Sequence, residues 1–122
     1  MDIGPRNVRR AKKASLYLRE ISALFFQAAQ DNPELRELYP NRVAFSPDLG
    51  SCTVFFYSPN GRSFFEEKLS ALKLFKPSLR AAMASRIDAR RVPDFVFRYD
   101  EEFEKQKKVD DLIEKLKAEG KF

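Results

Sequence analysis

Val8, Ala11, Ala14, Leu18, Ile21, Phe25 and Ala28 recur at spacings of three and four residues. That rhythm predicts one long helix with a single buried face. Pro5 suits its first turn, where a missing amide hydrogen costs little. The helix is expected to stop in "QDNPELRELYP", because Pro33 and Pro40 cannot continue it. The rhythm then shortens. "RVAF" and "CTVFFYS" read as short strands, joined by the turn sequence "SPDLG" into a β-hairpin. "SPNG" turns the chain out of the sheet, and helical spacing returns with Phe65, Leu69 and Leu72. Ser63 followed by Glu66 has the spacing of a capping box at a helix start. Pro77 interrupts this run, so Ser63 to Ile87 is expected as two helices with a kink at "LFKPS".

The next stretch, "FKPSLRAAMASRIDARRVPDFVFRYD", changes period midway. Leu79, Ala82, Met83 and Ile87 keep the helical spacing. Phe95, Phe97 and Tyr99 then alternate with Val96 and Arg98, which predicts a strand entered through Val92 and Pro93. Beyond Asp100, the positions of Phe103, Val109, Leu112, Ile113 and Leu116 predict an amphipathic helix. The order helix, strand, strand, helix, kink, helix, strand predicts an α+β domain over residues 1–100, with a three-stranded sheet covered by helices on one face. Residues 101–122 form a helical tail. The sequence contains no internal repeat and no low-complexity tract. The strand aromatics admit two uses: filling a core, or forming a stacking platform for bases. Twelve phenylalanines and no tryptophan favour the core.

Composition narrows the chemistry. At 122 residues, 43% hydrophobic and 34% charged, the chain is expected to be one globular domain. Its apolar runs are too short and too broken by charge to span a bilayer. "MDIGPRNVRRAKKAS" has bases but no apolar run behind them, so it does not read as a secretory signal. The single cysteine, Cys52, allows no internal disulfide and fits a reducing cytoplasm. Histidine is absent, so neither the usual zinc sets nor a Ser-His or Cys-His nucleophile can be assembled. Carboxylates leave a bound magnesium or an acid–base pair open in principle. However, Asp48 stands where the "SPDLG" turn needs an aspartate, Asp88 follows a helix, and eight acids crowd residues 100–122. Neither catalysis nor a nucleotide cofactor is expected, and there is no Gly-rich phosphate loop.

The net charge of +5 is uneven: residues 100–122 carry −2 and residues 1–99 carry +7. Arg6, Arg9, Arg10, Lys12, Lys13 and Arg19 load the first helix. Lys73, Lys76, Arg80, Arg86, Arg90 and Arg91 form a second cluster. Each alone reads as a solvated helix face; together they make one electrostatic footprint only if the fold joins them.

This order, with particular residues, resembles the ribosome-binding factor A family. The shared features are Phe45-Ser46-Pro47-Asp48-Leu49 before the second strand, Leu79-Arg80 in the helix, Arg90-Arg91-Val92-Pro93 leading to the last strand, and Phe97-Arg98-Tyr99-Asp100 closing it. "VRRAKKASLYLREISALF" is similar to the family's opening helix. The resemblance implies a type II KH-like fold and a non-enzymatic, cytoplasmic assembly factor. It further implies binding to the small ribosomal subunit and its rRNA during late maturation and 5′-end processing, with particular importance in the cold.

One departure alters the expected chemistry. KH domains clamp nucleic acid with a Gly-x-x-Gly loop, and the family has an Ala-x-Gly kink in its place. Here that position is Phe75-Lys76-Pro77, and proline offers no amide hydrogen to a phosphate. RNA binding is therefore expected to rest on Arg6, Arg9, Arg10, Lys12, Lys13, Lys73, Lys76, Arg80, Arg86, Arg90 and Arg91. Such cations grip folded rRNA through its phosphates. A monomer with no membrane contact is expected. A KH-like RNA binder unconnected to ribosomes, or an adaptor for an acidic protein, stays open as an alternative.

Overall fold

Tyr17, Ile21 and Phe25 stand four residues apart and are each at most 2% exposed. They are the spine of helix α1 (Pro5–Asp31). The buried face starts later than the spacing predicts: Val8 and Ala11 stay exposed, and Tyr17 takes the innermost place. The computed structural model describes residues 5–87 and 91–121. After α1 and a 3-10 turn (Pro33–Leu35), the chain forms β1 (Tyr39–Phe45), β2 (Ser51–Tyr57), α2 (Gly61–Glu67), α3 (Leu69–Arg86), β3 (Asp94–Tyr99) and α4 (Glu101–Ala118). Arg36 closes the end of α1, donating from Nε to Ala29 O (3.0 Å) and from Nη2 to Gln30 O (2.9 Å). Those carbonyls lack a helical partner.

The sheet has the order β1-β2-β3, with β1 antiparallel and β3 parallel to the central strand. Strand β1 begins at Tyr39, ahead of the predicted "RVAF", with a register shift between Pro40 and Arg42. An edge strand tolerates Pro40 because no neighbour needs its amide. In the hairpin turn, Asp48 Oδ1 accepts from Gly50 N–H (2.9 Å) and Ser46 Oγ–H (2.7 Å), the structural role expected of it.

Alternation sends Cys52, Val54 and Phe56 of β2 and Phe95 and Tyr99 of β3 into the core under the helices. Phe56, Phe95, Phe97 and Tyr99 therefore fill the core, whereas Tyr39 at the start of β1 stays exposed. Phe56 stands with its ring centre 5.2 Å from Phe25, 6.0 Å from Phe65 and 5.4 Å from Phe97. Each such pair contributes about 0.5–1.5 kcal/mol beyond the area it buries. Phe25 also meets Phe75 at 5.6 Å, which brings α3 onto the same cluster.

Two expectations about the middle helices fail. The break falls at Lys68, not at "LFKPS", and Pro77 lies inside α3. At Lys68 the N–H reaches back to both Phe64 O (3.2 Å) and Phe65 O (3.1 Å), a tightened turn that lets the next helix start in a new direction. Leu72, Leu79 and Met83 are each at most 1% exposed, so burying that stripe holds one helix across the proline. The interruption costs about 3 kcal/mol in a free helix, less than core burial supplies. The capping box also fails to form. Helix α2 starts earlier, at Gly61, whose φ of +87° favours glycine. Ser63 is thus inside the helix, and Glu66 accepts from Arg62 Nε at 3.0 Å instead.

Asp100 joins the far ends of the chain. It is 2% exposed, and its carboxylate accepts from Asn41 Nδ2 (2.9 Å), Arg42 Nε and Nη2 (3.3 Å each) and Phe103 N–H (3.2 Å). It thereby caps α4 and ties it to β1. Phe103 packs edge-on against Tyr57, with ring centres 4.9 Å apart. Val109, Leu112 and Ile113 farther along α4 are exposed.

Pro77→Ala restores a donor to the carbonyl of Lys73 at an exposed position, so it is expected to raise stability by about 1–3 kcal/mol in denaturant unfolding. A loss of stability would mean that the proline conformation is required. For Asp100, burial pushes the carboxyl up, but the hydrogen bonds from Arg42, Asn41 and Phe103, with the charge of Arg42, leave it below its ordinary value. A depressed carboxyl stabilises above its unfolded value of about 3.9 and loses that contribution as pH falls through the folded value. Asp100→Ala is expected to cost about 2–3 kcal/mol at neutral pH, in lost hydrogen bonds and cap. The gap should close progressively below about pH 4; a gap unchanged in strong acid would contradict the assignment.

Candidate nucleic-acid interface

Helices α1 and α3 lie antiparallel over the sheet, with Phe25 against Phe75 near one end and Glu20 against Arg86 (3.0 Å) toward the other. That arrangement decides which cations meet. At the hairpin end, Lys13 Nζ sits 5.3 Å from the ring centre of Phe45 and 5.9 Å from that of Tyr17. From α3, Arg80 Nη1 donates to Asp94 at 2.7 Å, and the Asp94 N–H reaches Gly50 O at 3.0 Å. Phe45, Cys52 and Phe95 form one row across the sheet. Lys13 and Arg80 therefore flank the same end of it, with β1 and β3 about 10 Å apart.

Arg91 is exposed just before β3 and acts on Asp48 in the hairpin turn. The Asp48 carboxyl is held below its ordinary value first by the Ser46 hydroxyl, then by the Gly50 N–H, with Arg91 a smaller contributor. Farther along α3, Lys76 Nζ lies 5.4 Å from the ring centre of Phe97, and Lys73 is exposed one turn earlier. Arg9 and Lys12 are exposed on α1, and Arg10 is half-buried.

The fold thus gathers Lys13, Arg80 and Arg91 at one end, with Lys76 and Lys73 trailing along α3. It does not add Arg86, whose pair with Glu20 ties α3 to α1. Arg90 and the side chain of Arg6 lie outside the described residues. Among the described residues of the predicted set, Arg9, Lys12, Lys73 and Arg91 are exposed and form no ion pair. The Arg80–Asp94 pair is 51% and 75% exposed, so it is worth about 0–1 kcal/mol, and a phosphate can replace it.

Sequence reasoning missed a second row of cations, on the open face of the sheet. Arg42 and Arg98 are register partners of Phe55 on its two sides, and the Arg42 guanidinium carbon lies 3.8 Å from the Phe55 ring centre. The alternation of β3 already placed Arg98 opposite Phe97. The bond from Arg42 to Asp100 is not legible, because 58 residues separate them.

Cys52 and Tyr99, two groups suited to covalent chemistry, are held in their neutral forms. Burial pushes the Cys52 thiol up to about 12, with Lys13 opposing it weakly. At neutral pH it is a thiol, not a nucleophile. Burial pushes Tyr99 to about 12 as well, and its hydroxyl donates to Ser58 O at 3.2 Å. Among the described residues no helix is long and apolar enough to cross a membrane. What the surface can do is hold several anionic oxygens at once through separate cations.

Comparison with known proteins gives one consistent answer. The chain matches the family model described as Ribosome-binding factor A over residues 9–113. It is 32% identical to "Ribosome-binding factor A" of Prochlorococcus marinus strain MIT 9301 over 115 residues, covering 93% of this chain and 88% of that one. For the protein of the same name from Prochlorococcus marinus subsp. pastoris, identity is 34% and the coverages are 93% and 86%. The crystal structure of ribosome-binding factor A from Thermus thermophilus superposes with a TM-score of 0.62 at 26% identity, covering 74% of this chain and 94% of that one. With the match running from the first cations of α1 into α4, the chain belongs to the ribosome-binding factor A family.

Proposed function

We propose that this chain is a non-enzymatic assembly factor that binds the small ribosomal subunit and its rRNA during late maturation, in the cytoplasm and as a monomer. The observation that carries this reading is the convergence of Lys13, Arg80 and Arg91 on one end of the sheet, continued by Lys76 and Lys73. A rigid spread of cations on two helices and a strand approach suits the crowded phosphates of a folded RNA junction. The relatives' name, Ribosome-binding factor A, supplies the particle.

The mechanism needs no bond to be made or broken. A basic domain that binds an immature rRNA conformation more tightly than the mature one holds that conformation, by as much as its two affinities differ. Processing of the rRNA 5′ end would follow from the held conformation. Cold raises the value of such a factor, because misfolded RNA helices rearrange more slowly. Pro77 cannot offer an amide to phosphate, so grip rests on side chains.

Sedimentation of extract at two salt concentrations tests the reading. Wild type should travel with small subunits, and the Lys13, Lys73 and Arg91 to alanine variant should remain largely at the top. Each phosphate contact removed should flatten the slope of log affinity against log salt by about 0.7–0.9. A wild type that never meets the small subunit removes the ribosomal reading. Equal binding by the two proteins removes this choice of residues.

A further inference from the structure

Phe26 is 69% exposed and Tyr39 51% exposed, whereas most of the other described aromatics are buried or half-buried. Both line one groove of about 380 Å³ between the second half of α1, the 3-10 turn and the start of β1. Its volume falls within the range of small-molecule sites, about 300–1,000 Å³. Buried Leu35 and Leu38 line it too, together with exposed Arg36 and Glu37. Two of the Arg36 nitrogens hold the last carbonyls of α1, which fixes the guanidinium in place while its remaining N–H groups stay exposed.

The outer face of α1 leads to this groove. Lys12, Arg19 and Phe26 follow one another at seven-residue intervals, and all are exposed. Seven residues fall about 20° short of two turns, so the three lie on one stripe roughly 20 Å long. Cations followed by an exposed aromatic are what a strand of nucleic acid requires: phosphates along the helix, then a base with a flat apolar surface to rest on. An apolar protein segment would use the groove but not the charges that approach it.

We propose that this groove is a base-stacking site, in which an unpaired nucleobase of RNA rests on Phe26 beside Tyr39. Lys12 and Arg19 hold the phosphates on one side of it, and Arg36 a phosphate at its rim. The proposal rests on the reading that the chain binds rRNA, and it adds a contact to a single-stranded nucleotide on a surface away from the hairpin end of the sheet. Folded rRNA is then gripped by cations alone, while one looped-out base is held by stacking.

The test compares Phe26→Ala, Tyr39→Ala, Phe26→Trp and Arg19→Ala with wild type against three probes: a short oligoadenylate, naked small-subunit rRNA and the small-subunit particle. Stacking on an aromatic is worth about 1–3 kcal/mol per base, so Phe26→Ala should weaken oligoadenylate binding about 5- to 150-fold without changing the salt slope. Arg19→Ala should instead flatten the slope, by about 0.7 on a single strand. The chain has no tryptophan, so Phe26→Trp introduces a single indole whose fluorescence a stacked base should quench while affinity is kept. Equal binding of oligoadenylate by Phe26→Ala and wild type overturns the proposal. So does a loss confined to the particle with naked rRNA unaffected, which would assign the groove to a protein. If wild type fails to join the particle, the small-subunit reading falls, and the oligoadenylate titration still decides the groove.

Discussion

Phe56 stands on the central strand, and elements from across the chain meet on its ring. Phe25 comes from α1, Phe65 from α2 and Phe97 from β3, while α3 joins through the contact of Phe75 with Phe25. A sheet with one open face has only one side on which to bury apolar area. Everything that must be dry therefore competes for that side, and the helices that cover it are held to fixed positions. Their charged faces are pushed outward and keep a fixed spacing. The cation arrangement is a consequence of the packing: Lys13 and Arg80 flank one sheet end because α1 and α3 both bury their stripes against the same strands.

The same packing explains how α3 runs straight through Pro77. Leu72 and Leu79 lie on either side of Pro77 and are both buried, so a bend there would lift one of them from the core. The helix stays continuous, and the turn that changes its direction lies at Lys68. Pro77 offers no amide hydrogen at this position. The side chains of α3 remain on a straight support, where Lys73, Lys76 and Arg80 keep a common face.

Local periodicity made most of the fold readable from the sequence. The stripe of α1 from Ala14 onward, the alternation of β2 and β3 and the Asp48 turn each depend on residues close in sequence, and the structure has all of them. What could not be read depends on distant partners. Nothing near Pro77 reveals that Phe25 will hold Phe75 in place. Nothing near Arg42 reveals Asp100. For the site, composition identified the cations but could not tell which are engaged: Arg86 is taken by Glu20 and Arg80 by Asp94, residues 66 and 14 positions away. Phe26 reads as a neighbour of the buried Phe25, and only the exposure of one ring and burial of the other separates their roles.

Charge placed on a rigid two-layer frame thus accounts for the RNA-binding role proposed above through side-chain cations alone. Lysine acylation footprinting of the chain, free and bound to immature small subunits, tests this most directly. Lys12, Lys13, Lys73 and Lys76 should lose reactivity on binding, while the α4 lysines Lys107, Lys108 and Lys115 stay as reactive as in the free chain. Protection confined to α4, with the α1 and α3 lysines unchanged, would contradict the account.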